Sequence, residues 1–134
     1  MKNLLIAYFS SLLPMMIMDG IWLTTMAKRF YGAHIGHLLA ESFRPAPAVL
    51  FYAVYVLGVC VLVVLPAVAA GTGSGRAFLM GAVLGFFGYA TYDLTSQATL
   101  RDWPTIVTVV DLAWGTLMTG TISSIATAVT RRLA

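Results

Sequence analysis

Four long apolar runs divide the chain, and the short stretches between them hold most of its charge. The first covers about residues 3–26 and gives way to Lys28 and Arg29. The second, about 46–70, is introduced by Pro45 and Pro47 and closed by Gly71-Thr-Gly-Ser-Gly75. The third runs over about 77–99. The fourth, about 104–129, has Pro104 at its first turn, where a missing N–H costs nothing, and Arg131-Arg132 beyond its end. Each run reaches the roughly 20 residues that an α-helix needs to cross the hydrocarbon of a bilayer. The pattern therefore predicts an all-α fold: one integral membrane domain over residues 1–134, a compact bundle of four transmembrane helices with an interfacial helix in the first loop. Pro14 should kink the first helix, which neighbouring helices can accommodate. Four crossings put both termini on one face and the loops at 27–45 and 101–103 on the other.

Composition agrees with this reading. Of 134 residues, 60% are hydrophobic and 10% charged, too little charge to cover a soluble domain of this size. The net charge of +3 resides at helix ends, where it suits lipid headgroups rather than nucleic acid, so the expected partner is the bilayer and no nucleic acid. The first run follows Lys2 as a signal peptide would, but it stays apolar to Met26 without a small-residue cleavage site, and it reads as a retained helix. Cys60 alone can form no intramolecular disulfide and reads as a small buried hydrophobe. Basic residues tie across the two faces: Lys2, Arg76, Arg131 and Arg132 stand against Lys28, Arg29, Arg44 and Arg101. The Arg pair tips the expectation toward cytoplasmic termini. The tie also leaves an antiparallel, dual-topology dimer open.

Against this apolar background the polar positions stand out. Asp19 lies seven residues before Met26, Asp93 seven before Leu100, and Asp111 seven after Pro104. Given the helix directions, all three carboxyls are expected in one layer, about 10 Å in from the long-loop face at 1.5 Å per residue. Tyr52 and Tyr55 of the second helix fall in the same layer. An ionised Asp near a helix centre costs about 2.5–3.5 kcal/mol, and somewhat less nearer the interface. Three without a basic partner at that depth favour the neutral acid, so at least one should bind a proton or share a cation. Helical spacing adds Tyr89, Ser96 and Gln97 around Asp93, and Thr108, Trp114 and Gly115 around Asp111, while Trp22 stands three residues after Asp19. Asp-x-x-Trp thus occurs in both the first and fourth helices. The expected site comprises Asp19, Asp93, Asp111, Trp22, Tyr52, Tyr55, Tyr89, Gln97, Thr108 and Trp114, open toward the long-loop face. The competing interpretation is a set of protonated acids that only glue the bundle together.

Two further patterns carry weaker expectations. If 30–41 is helical, His34, His37 and Glu41 share a face and form a candidate metal or proton-relay cluster, set against an amphipathic segment with a solvated polar face. Tyr31, Phe43 and Trp103 read as interface anchors. Gly81, Gly85 and Gly88 make a small-residue strip that serves either close packing within the bundle or a homodimer, with Gly115 and Gly120 similar on the fourth helix. The Gly71–Gly75 run lacks the Lys-Ser/Thr of a phosphate loop, and no nucleophile elbow, Cys pair or haem motif occurs. No cofactor is expected.

Tyr89-Ala-Thr-Tyr-Asp-Leu-Thr95, Ala98-Thr-Leu100, Trp103-Pro104 and Val110-Asp-Leu-Ala-Trp-Gly-Thr116 resemble the bacterial inner-membrane family called domain of unknown function 2177. Met18-Asp-Gly-Ile-Trp22, Phe30-Tyr31, Pro47-Ala-Val-Leu-Phe-Tyr52 and Tyr55-Val-Leu-Gly58 extend the resemblance over nearly the whole chain. It implies a four-helix protein of the bacterial inner membrane and no particular activity. Function is therefore read from the residues. The first reading is a small transporter or channel-like protein whose Asp layer binds a proton, cation or cationic solute. The alternatives are a membrane-embedded enzyme or binding protein for a lipid or other apolar ligand, and an accessory subunit without site chemistry.

Overall fold

The computed structural model describes residues 1–134 and contains four helices long and apolar enough to cross a membrane. We label them α1 (Lys2–Met26), α2 (Pro45–Ala70), α3 (Ser74–Thr99) and α4 (Thr105–Leu133). Gly71, at φ 71°, ends α2 in the left-handed conformation that a side chain would disfavour. Pro104 in extended backbone caps the start of α4.

Many large apolar side chains face outward, while the interior holds polar residues beside an apolar core. Phe9, Leu13, Ile17, Leu62, Phe87, Val109 and Leu117 are all exposed, while Asp93, Thr119, Ser123, Thr127 and Thr130 are buried. An apolar outer surface of this extent is stable only where the solvent is hydrocarbon. The larger apolar core joins α1, α2 and α4 through Ala7, Met15, Val56, Val59, Cys60, Val64, Met118, Ile122 and Ala126. α4 is the central helix, buried at twelve positions from Val107 to Thr130.

Glycine is what brings α3 against α4. A Cβ on Gly85 would collide with the Gly115 carbonyl and come within 2.7 Å of the Thr119 side chain. One on Gly81 would collide with the Ser123 hydroxyl and lie 2.8 Å from the Thr119 carbonyl. Gly88 faces Tyr55 of α2 instead. Gly81 and Gly85 are therefore occupied within the protomer, while Gly88 stays exposed beside Tyr55. Of the two readings of this strip, close packing within the bundle holds at Gly81 and Gly85, because only an absent side chain allows the backbones so close.

Two helices contain a wide π-helical segment. In α2 it spans Cys60–Val64, one residue short of Pro66. Pro66 has no N–H to donate and its ring crowds the carbonyl four residues back, so the wider turn takes up the mismatch. The other segment, Ala27–Tyr31, continues α1 beyond the expected end at Met26. Gly32 follows it, where a Cβ would stand 3.0 Å from the Ala27 carbonyl oxygen. A single turn Gly32–Ile35 and a 3-10 turn Gly36–Leu38 complete this extension. The expected interfacial helix is thus two short turns on the end of α1, since Gly32 and Gly36 do not sustain a longer one.

Candidate functional site

The tertiary structure sorts the three intramembrane carboxyls into two plus one. Asp93 on α3 and Asp111 on α4 are neighbours, their carboxyls within hydrogen-bonding range of each other. Asp93 is fully buried, and neither of its oxygens has any other protein partner. Asp111 is 8% exposed and accepts a hydrogen bond from the Tyr31 hydroxyl. A carboxyl–carboxyl hydrogen bond needs one proton between the two acids. With it, the buried oxygens of Asp93 have a partner; without it, two like charges face each other in a dry interior.

Asp19 stands apart with a complete set of donors. The Tyr52 hydroxyl donates to its Oδ2, and Trp114 Nε1–H donates to its Oδ1 at 3.1 Å. The indoles of Trp22 and Trp114 stack at 4.3 Å between centroids, with 8° between planes. Trp22 Nε1–H in turn donates to the Tyr31 hydroxyl at 3.0 Å, and Tyr31 passes its own proton toward Asp111. The two Asp-x-x-Trp segments therefore brace one another across the α1–α4 interface. Each tryptophan serves the aspartate of the other helix, Trp114 directly and Trp22 through Tyr31. Chained donors of this kind polarise and strengthen one another at low dielectric.

A polar ladder covers the Asp93–Asp111 pair on the long-loop side. Trp103 Nε1–H donates to Thr108 Oγ1 at 3.1 Å, Thr108 donates to Gln97 Oε1 at 2.8 Å, and Gln97 Nε2 donates to Thr105 Oγ1 at 2.9 Å. Gln97 follows Asp93 by one turn and Thr108 precedes Asp111 by one, so both stand above the acids. The expectation of a site open to that face is corrected. The ladder and Tyr31 close it, and Asp93 is wholly inaccessible.

Of the two other tyrosines, Tyr55 shares a hydrogen bond of 2.6 Å with Thr119 rather than with an aspartate. Tyr89 lays its ring over Gly115, where a Cβ would collide with it. Together with Phe51, Gly88 and Tyr92 these two line a cleft of about 360 Å³ between the first half of α2 and α3.

The metal expectation is corrected as well. His34, His37 and Glu41 form no three-ligand cluster, because the 3-10 turn breaks the face they would have shared. His34 Nδ1 lies 2.8 Å from the Phe30 carbonyl, and His37 Nε2 lies 3.1 Å from Asp102 Oδ2. That second contact ties the first loop to the last.

Sequence reasoning missed the role of Tyr31, assigned to the interface. Its hydroxyl reaches Asp111 because helical backbone continues past Met26 through the π-helical segment, and helical periodicity alone contains no sign of that. Thr119 was missed also; its spacing of two turns from Asp111 on the buried face of α4 was the available signal.

A family model described as predicted membrane protein, domain of unknown function 2177, matches residues 4–128. No curated protein matches the chain, and no solved structure does.

Proposed function

Starting from the premise that this chain belongs to the domain of unknown function 2177 family of predicted membrane proteins, we propose that it is a small transporter or channel-like protein of the bacterial inner membrane whose Asp93–Asp111 pair binds a proton or exchanges it for a cation. The observation that carries this reading is Asp93: fully buried, both oxygens without a donor, and set against a second acid. A residue kept only to glue helices would have its donors, as Asp19 does. Leaving a buried acceptor unpaired costs about 1–3 kcal/mol, which a shared proton or a bound cation relieves. Asp19, Tyr52, Trp114, Trp22 and Tyr31 hold the surroundings of the pair in one geometry. Gln97 and Thr108 cover it, and the termini lie in the cytoplasm.

The test is a proton titration of purified protein in detergent, with no other solute. The wild type should release one proton that Asp93→Asn and Asp111→Asn both lack, while Asp19→Asn retains it. Identical titrations of wild type and the Asp93→Asn/Asp111→Asn double variant, with equal behaviour in cells, would refute the proposal.

A further inference from the structure

The cleft between α2 and α3 differs from the other grooves on the outside of the bundle. Of those along α1, one is lined mainly by leucine, isoleucine and valine, as suits acyl chains, and the other mixes Tyr8 and Tyr52 with Leu12, Met16, Val49 and Ala53. This one has four aromatic residues among five: Phe51, Tyr55, Tyr89 and Tyr92, with Gly88 between them. Phe51 and Tyr55 stack at 5.2 Å, and Tyr55 meets Tyr89 edge-on at 6.3 Å. The space exists because the first half of α2 stands away from α3, with nothing buried between Pro45 and Tyr55, and because Gly88 adds no side chain. At about 360 Å³ it falls at the small end of the roughly 300–1,000 Å³ typical of small-molecule pockets.

Its inner wall leads to the acid pair. Tyr89 precedes Asp93 by one turn of α3, and the Gly115 it covers follows Asp111 by one turn of α4. A ligand seated against Tyr89 is thus about 6 Å along each helix from a carboxyl, at 1.5 Å rise per residue. No Lys, Arg or His stands at that level to compete. The π-faces of aromatic rings attract cations, most strongly away from water.

Building on the proton reading of the pair, the geometry points to a binding site for a lipophilic organic cation, a quaternary ammonium or phosphonium carrying aromatic or alkyl groups, that enters from the bilayer through this cleft. Its apolar groups fill the aromatic cage and its charge rests against Tyr89, the wall between the cleft and the Asp93–Asp111 pair. As one positive charge enters, one proton leaves the pair for solvent, and the net charge held within the bilayer stays constant. A neutral lipid tail would make no use of the rings or of the acids behind them.

Tetraphenylphosphonium and the neutral triphenylphosphine oxide serve as probes, by equilibrium dialysis against the full chain in detergent, with proton release followed in weak buffer. The cation should bind saturably, at least about tenfold tighter than the neutral compound, and its binding should release protons. Gly88→Leu, which fills the cleft, and Tyr92→Leu, at the exposed rim, should each weaken cation binding about tenfold. Tyr92 is 60% exposed, so its replacement does not threaten the fold. Equal binding of both probes, or cation binding unchanged in both variants, overturns the proposal and makes the cleft an ordinary lipid groove. Cation binding without proton release overturns the exchange. If Asp93→Asn meanwhile still removes the proton titrated without solute, the acid pair keeps its own assignment.

Discussion

Asp19 and Asp93 are the same residue type at similar depth in the same bundle, yet their surroundings give them opposite roles. Asp19 accepts from Tyr52 and from Trp114, so its removal strands two half-buried donors. Asp19→Leu should lower stability by about 1–3 kcal/mol, read as a lower thermal midpoint in detergent. Asp93 has no donor besides the proton it shares with Asp111, which also keeps the Tyr31 hydroxyl, so Asp93→Leu should leave the midpoint unchanged or raise it as an apolar side chain replaces a desolvated acid. A loss of stability in Asp93→Leu as large as that in Asp19→Leu would contradict this division. That both acids lie within helices was legible from the apolar runs around them. Which of them is satisfied was not, because Tyr52, Trp114 and Tyr31 arrive from other elements, distant in sequence.

Among the elements, the helices were legible nearly to their ends, and their irregular turns were not. Four windows of sustained hydropathy mark the spans, but the π-helical segments at Ala27–Tyr31 and Cys60–Val64 contain ordinary helix-compatible residues. The α3–α4 contact was legible as a glycine strip, without its partner. Because a Cβ at Gly85 would meet α4 backbone and the Thr119 side chain, Gly85→Ala should cost about 1–3 kcal/mol by overpacking. Gly58→Ala, where nothing lies within 4 Å of a new Cβ, should be neutral or stabilising. Denaturation in mixed detergent distinguishes the two, and similar midpoints for both variants would mean that α3 and α4 are not in close contact through Gly85.

The whole molecule places its basic residues at its two ends and most of its buried polar positions on α4, the helix most enclosed by the others. His37 and Asp102 join the two loops of one face, and Arg131 of the other face lies 3.4 Å from the Thr72 carbonyl. Basic residues balance across the bilayer, so orientation follows from small differences in charge placement. With cytoplasmic termini, a membrane-impermeant maleimide applied to intact cells should label Glu41→Cys and leave Ser74→Cys unlabelled. Cys60 is buried and should not react in either variant. Labelling of both introduced cysteines would mean that the chain inserts in two orientations.

By itself the sequence determined the helical class, the number of crossings and the presence of misplaced acids. Each of these depends on local hydrophobicity and on the high cost of unpaired backbone and charge in hydrocarbon. Only the tertiary structure decided which acids meet. It paired Asp93 with Asp111, assigned Tyr52 and Trp114 to Asp19, brought Tyr31 to Asp111 through a π-helical segment, and packed Gly81 and Gly85 against α4. The reason is geometric: spacing along one helix fixes which side chains share a face, whereas the partner of that face depends on how helices rotate and approach. Here the approach is set by a few absent side chains and one widened turn.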